Sequence, residues 1–332
     1  MYKPALLIGV LILNGVLVSC GVNSGPVGGI EKMPKIEREI MLTNTAQALA
    51  KMPPAELYEK YVDLGTLEII DYNALINRLK GVQVIYVAEE HTNKAHHALQ
   101  MDILTSLSQK NPKTALAMEF LYRSKQTLSD YYTAGNFSDE VFNKATLASF
   151  TPEWYPMYSP LIRFAKANKL KLLALNVEKE IKSKMLQVGW DKLTPEEQKL
   201  IAKDIDTSNK AHKKFVMAQF QGMVASGRVP PTMLDRLYIL QCMWDETFGE
   251  AIANYLKKKN DKDVQVVVVL GAGHVNYKFN APDRSFKRYP APFRTIVPFG
   301  VNDTKGMEND FRELLSSKIG DIVYFAPMST PE

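Results

Sequence analysis

Two histidines and several carboxylates of this chain stand directly after short apolar runs, where a folded protein can bring distant residues together. Val84-Ile-Tyr-Val-Ala88 runs into Glu89-Glu90-His91, Thr114-Ala-Leu-Ala-Met118 into Glu119, and Val266-Val-Val-Val-Leu270 into Gly271-Ala-Gly-His274. A fourth run, ending at Leu175, stops on Asn176. Neutral imidazole nitrogen and carboxylate oxygen are typical zinc or manganese ligands, so Glu89, His91, Glu119 and His274 form a candidate metal set. The same four could do acid/base work without a metal, a carboxylate holding a histidine in one tautomer. A plainer reading leaves Glu89 and Glu90 as solvated loop residues and gives His274 a packing role in a glycine turn.

These residues meet only if the runs are neighbouring strands. Val82 to Ala88, Thr114 to Met118, Leu170 to Leu175 and Val264 to Leu270 read as buried strands. Between the first two, His96 to Gln109 places Leu99, Ile103, Leu104 and Leu107 on one helical face, with Thr92 or Asn93 as the cap. A helix around Met157 to Asn168 precedes the third strand. Strands alternating with helices imply an α/β fold with a largely parallel or mixed central sheet flanked by helices. In such sheets ligands bind beyond the carboxyl ends of the strands. Phe293 to Val297 and Ile322 to Phe325 are further candidate strands.

Residues 177–262 carry no strand signal and read as a helical insertion before the last core strand. Thr194-Pro-Glu-Glu197 supplies a cap, a helix-starting proline and a capping-box glutamate, which predicts a helix running toward Val224. Gly227 to Pro231 breaks it, and Thr232 to Lys259 reads as a second long helix. His212 beside Lys213 and Lys214 is expected to face solvent, and Met217, Met223, Met233 and Met243 to fill the helix pair or clamp a flat apolar ligand. His96 and His97 are adjacent and cannot share a helix face, so at most one is expected to point toward the site.

The amino terminus reads as an address. Lys3 precedes an apolar stretch from Ala5 to Val18, too short to span a bilayer comfortably, which ends in Leu17-Val-Ser-Cys20. That is a lipobox, and it predicts a signal peptide over 1–19, lipidation of Cys20 and a glycine-rich tether over 20–35, with one domain over 36–330. The expected location is the cell envelope, on the outer membrane if the envelope is Gram-negative. With Cys20 acylated, Cys242 has no disulfide partner and is expected to be a small buried residue. A net charge of +5 is mild, and the cluster Lys257-Lys-Lys259 near a helix end reads as a solvated face rather than a nucleic-acid site.

Taken in order, the motifs resemble the ChaN-type haem-binding lipoproteins of the Tiki superfamily, which also holds metal-dependent peptidases and erythromycin-esterase-like enzymes. The resemblance rests on Val84-Ile-Tyr-Val-Ala-Glu-Glu-His91 with His97 and Gln100; on Ala117-Met-Glu-Phe120 with Arg123, Gln126 and Tyr131; and on Trp154 and Tyr158. It continues with Gln241-x-x-x-Asp245 and with Val268-Val-Leu-Gly-Ala-Gly-His274 and Pro282-x-Arg284, so that it covers roughly residues 60 to 300. The chain departs from the pattern where Ala88, Lys278 and Asn280 replace glycines and where Phe248-Gly249 stands for Met-Ala. The resemblance implies haem binding in iron uptake, commonly as a homodimer with the porphyrins near the subunit contact, and exchange with a haem receptor or transporter. It makes Tyr122 the first candidate for a phenolate ligand to ferric iron, with Tyr131, Tyr132 and Tyr155 as alternatives and His212 and Arg284 as further cofactor-binding candidates. The rival it implies is a metal-dependent hydrolase or peptidase using Glu89, His91, Glu119 and His274. A protein-interaction role for a decayed site is the third.

Overall fold

The computed structural model describes residues 30–146 and 155–328. The signal peptide, Cys20 and Trp154 lie outside the described residues. Eight strands form one sheet: β1 (Tyr61–Asp63), β2 (Glu68–Ile70), β3 (Val84–Glu89), β4 (Thr114–Tyr122), β5 (Lys171–Asn176), β6 (Gln265–Gly271), β7 (Phe293–Gly300) and β8 (Ile322–Ala326). Their order across the sheet is β2-β1-β8-β7-β3-β6-β4-β5. The six strands from β8 to β5 are parallel, and β1 and β2 add an antiparallel edge.

Side chains of the central strands alternate between two apolar layers, as a period of two requires. Val84, Tyr86, Ala88, Val266, Val268 and Leu270 pack into one layer, and Ile85, Val87, Val267 and Val269 into the other. Because both faces are covered, β3 and β6 are buried along their whole length and read in sequence as unbroken apolar runs.

The helices α1 (Lys35–Lys51), α2 (Pro54–Leu57), α3 (Tyr72–Arg78), α4 (Lys94–Lys110), α5 (Gln126–Thr133), α6 (Asp139–Thr146) and α7 (Tyr155–Ala167) come before or between the first strands. Asn93 caps α4 by accepting the Ala95 amide, and Leu99, Ile103, Leu104 and Leu107 are buried on its inner face, as the periodicity predicts. Ile30 is buried and donates its backbone N–H to the Gly65 carbonyl, so the fold begins ahead of α1.

The stretch between β5 and β6 carries helices and loops only, with α8 (Lys179–Val188), α9 (Pro195–Gln198), α10 (Lys210–Ala225) and α11 (Leu234–Lys259). The capping box at Thr194 forms, but the helix it opens lasts only through Gln198, not to Val224. Side chains of α11 and the local sequence remove the backbone donors that would have continued it. Thr247, Glu250 and Glu246 accept the amides of Ala202, Lys203 and Asp206, and Asp206 accepts that of Ser208. Asn209 then caps α10 afresh, accepting the amides of Ala211 and His212. After β6 come α12 (Ala281–Arg288) and, between β7 and β8, α13 (Glu308–Ser316). Among the described residues no helix is long and apolar enough to cross a membrane.

Candidate functional site

The sheet order brings the expected residues together. β6 lies between β3 and β4, so the chain ends carrying Glu89, Gly271 to His274 and Glu119 are side by side. β4 runs on past Met118 to Tyr122, further than its sequence suggests, through an irregularity in its pairing with β5. Glu119 sits at that irregularity and uses Oε2 to accept the Gly271 amide at 2.8 Å.

Glu89 is buried, not solvated. Its Oε1 lies 2.9 Å from His91 Nδ1 and also accepts the Tyr158 hydroxyl, while Oε2 accepts from Gln100 Nε2 at 2.7 Å. Burial pushes this carboxyl up, but the His91 hydrogen bond and the His91 and His97 charges outweigh it, and the pKa falls below the ordinary value. Burial lowers His91 in turn; the Glu89 bond and the Glu119 and Glu89 charges prevail and raise it. With a carboxylate on Nδ1, the neutral His91 ring carries its proton there and keeps a lone pair on Nε2. Tyr158 stacks on Phe120 at 3.8 Å, and His91 meets Phe120 edge-on at 5.2 Å, so the imidazole is walled by aromatic rings.

His274 repeats the device from the other side. Its Nδ1 lies 2.7 Å from Asp245 Oδ1 on α11, and its Nε2 lies 3.7 Å from Glu119 Oε1. Burial lowers the His274 pKa, and the charges of Glu119 and Asp245 more than reverse this. Asp245 is fully buried, which pushes its carboxyl up. The charge of His274 and the bonds of His212 and His274 overcome that and bring it to about 2. Two carboxylate-backed imidazoles thus flank Glu119. A Cβ built on Gly271 would lie 2.7 Å from His91 Cε1, 3.1 Å from His91 Nε2 and 3.5 Å from Glu119 Oε2, so only glycine leaves room for the assembly. Among the described residues no group of three or more His, Cys, Asp or Glu is arranged to hold a metal ion. The geometry is that of hydrogen-bonded dyads suited to moving protons.

Of the adjacent histidines, His97 reaches the site: its Nδ1 lies 3.4 Å from Glu89 Oε2 and its Nε2 2.9 Å from the His91 carbonyl. His96 instead shapes the turn, its Nδ1 accepting the Glu90 amide at 2.9 Å. Burial pushes its imidazole down to about 4, so it stays neutral in that role.

His212 is not on the surface. It is fully enclosed, with Nε2 3.2 Å from Asp245 Oδ2 and Nδ1 accepting from Arg284 Nη2 at 3.1 Å. Arg284 is also buried, pairs with Glu246, and donates to the Asp206 carbonyl. Both residues therefore bind α10 and α12 to α11, with no edge offered to a ligand from outside. Lysines beside His212 suggested exposure, but they occupy the outer face of α10 and His212 the inner one. Cys242 is buried, as expected, 3.8 Å from His212 Nδ1.

Tyr122 ends β4 with its ring under the Lys182 ammonium at 5.8 Å. Burial raises its pKa, as do Glu180 and Glu178, while the Lys179 backbone amide donates to the hydroxyl and pulls the other way. Beside it Trp244 donates Nε1 to Asn176 Oδ1 at 3.0 Å and meets His274 edge-on at 5.7 Å.

Residues 75–284, more than half of the chain and every residue of this site from Glu89 to Arg284, match the family described as haem-binding uptake, Tiki superfamily, ChaN. The chain belongs to the ChaN family. Among solved structures, the fold is similar to that of the Campylobacter jejuni ChaN, described as showing cofacial haem binding, with a TM-score of 0.59 and 17% identity over 80% of this chain and 95% of that one. An erythromycin esterase mutant in its open conformation aligns with a TM-score of 0.41 and 10% identity, over 69% of this chain and 73% of that one. No curated protein matches the chain in sequence.

Sequence reasoning placed His91, Glu89, Glu119 and His274 at the strand ends but gave Asp245, Gln100 and Tyr158 no role beyond their place in a family pattern. A signal for Asp245 was present: Gln241, Asp245, Glu246 and Glu250 interrupt the otherwise apolar buried face of α11. Polar residues there need partners: Gln241 and Asp245 meet His274, Asp245 also meets His212, Glu246 pairs with Arg284 and Arg288, and Glu250 pairs with Arg123.

Proposed function

We propose that this ChaN-family protein binds haem on the strand-end side of its sheet and serves haem uptake from a membrane surface, to which lipid on Cys20 ties it. The observation that carries the reading is the family match, which spans the whole strand-end site. The chemistry of the residues agrees with it. Tyr122 offers a hard oxygen donor that would hold ferric iron, Trp244 an aromatic wall, and Lys182 a positive charge, all within one patch. Bound haem would supply a ferric centre with an open preference for phenolate; the chain's part is to position the phenol and shield it. His212 and Arg284 do not take part directly, since they are locked into the Asp245 and Glu246 network.

A lipid-held domain of this kind would pass haem to a receptor or transporter, and a homodimer with haem near the contact is the assembly we expect of it. The test of the ligand is spectroscopic. Ferric haem on the lipid-free domain should show a phenolate-to-iron charge-transfer signature that Tyr122→Phe abolishes. An unchanged spectrum in Tyr122→Phe would remove Tyr122 from the site.

One observation favours a second reading, hydrolysis by acid/base catalysis. The His91 and His274 imidazoles, each backed by a carboxylate and flanking Glu119, are arranged to take and return protons. A panel of ester and peptide substrates checks it: turnover lost in His274→Ala and in His91→Ala supports hydrolysis, and no turnover with any of them rejects it.

A further inference from the structure

The helix α1 buries Leu42, Ala46 and Leu49 and packs against α13, yet its other side is not uniformly polar. Ile36 and Ile40, one turn apart, point outward at 76% and 53% exposure, with Met33 at 39% just ahead of the helix. Ile36 is the most exposed large apolar side chain among the described residues. Further along, the outward positions Asn44 and Gln47 are polar, so the apolar patch is confined to the amino-terminal end of α1. Cations border it. Glu31 is taken by Lys318 and Glu39 by Arg312, while Lys32 and Lys35 are exposed with no ion pair among the described residues.

The chain ahead of the patch says what lies near it. Only Gly21 to Gly29 separate Cys20 from Ile30, where the fold begins. Ten peptide steps reach at most roughly 35 Å, whereas a compact chain of this length is on the order of 50 Å across. A lipid on Cys20 would therefore hold the α1 edge nearer the bilayer than the opposite edge. Exposed apolar side chains flanked by lysines suit the boundary between acyl chains and anionic headgroups.

We propose that the amino-terminal end of α1 docks on the lipid surface, with Met33, Ile36 and Ile40 dipping into it and Lys32 and Lys35 meeting anionic headgroups. This rests on the lipid-anchor reading above and adds which edge of the sheet faces the membrane.

The test uses the full chain purified from membranes, its mass showing the lipid on Cys20, in vesicles of phosphatidylethanolamine with phosphatidylglycerol. An environment-sensitive dye is placed on Ile36→Cys, on Ile40→Cys or on the control Val141→Cys, whose site on α6 is 49% exposed; Cys242 is buried. Nitroxide-labelled lipid should quench the dye at 36 and 40 about threefold more than at 141, with a blue shift, and Lys32→Glu with Lys35→Glu should weaken both effects. Equal quenching at all three sites on acylated protein overturns docking and leaves the anchor in place. A blue shift already present in the lipid-free mature chain without vesicles gives the face to a second copy and overturns the proposal. A full chain whose mass shows no lipid overturns both readings.

Discussion

Replacing Asp245 with asparagine keeps the side chain's shape but removes the charge that faces His274 at 2.7 Å and His212 at 3.2 Å. The folded protein holds this carboxyl at about 2, against an ordinary 3.8. A lowering of this size makes the ionised carboxylate a contributor to stability on the order of 2 kcal/mol. Because the folded value is the lower one, that contribution is complete above the unfolded value. It fades as the pH falls through the range between the two values and is gone below both. Urea unfolding of the lipid-free wild type and Asp245→Asn reads it out. The gap between the two should be on the order of 2 kcal/mol at neutral pH and should close as acid protonates the wild-type carboxylate. Equal midpoints at neutral pH, or a gap that stays constant into strong acid, would refute the claim that a charged Asp245 holds the two histidines.

Three further outcomes follow from the same geometry. Gly271→Ala should cost about 1–3 kcal/mol by overpacking, because the new methyl meets the His91 ring, which Glu89 prevents from swinging aside; its denaturant midpoint should drop, and a midpoint equal to wild type would show that ring to be free to move. Asn280→Ala should cost about 1–3 kcal/mol, since Asn280 is fully buried and donates to the Gly273 and Asn276 carbonyls that shape the His274 turn; calorimetry of the variant measures it. Lys278→Gly should come close to wild-type stability, the relief of a left-handed residue at φ 65° offsetting the lost ion pair to Asp321, and a drop of more than about 2 kcal/mol would show the pair to dominate.

The parallel core was legible because strands buried on both faces leave apolar runs, and the ends of those runs pointed to Glu89, His91, Glu119 and His274, which the sheet order brings side by side. The β1–β2 edge was not, since three-residue strands such as Tyr61–Asp63 carry too short a pattern to stand out. The insertion was legible as helical and in its break at Gly227 to Pro231, which separates α10 from α11, but not in the break after Gln198. Thr194 signals a start convincingly, while the stop after Gln198 depends on acceptors from α11 far away in sequence. His212 was misread for a related reason: neighbours along the chain spoke of solvent, and Asp245, 3.2 Å away in space, decided otherwise. The departures at Lys278 and Asn280 turn out to be part of the turn itself. Lys278 and Tyr277 adopt left-handed backbone without glycine, with Tyr277 N–H bonded to the Ile319 carbonyl at 2.7 Å.

Titration of the purified, lipid-free domain with ferric haem, followed at the Soret band and by gel filtration, tests the central claim most directly. Saturable binding at a fixed ratio of haem to chain, weakened in Tyr122→Phe and unaffected by changes on the far end of the sheet, is the predicted result. Absorbance that rises without saturation, and equally in Tyr122→Phe, would contradict it.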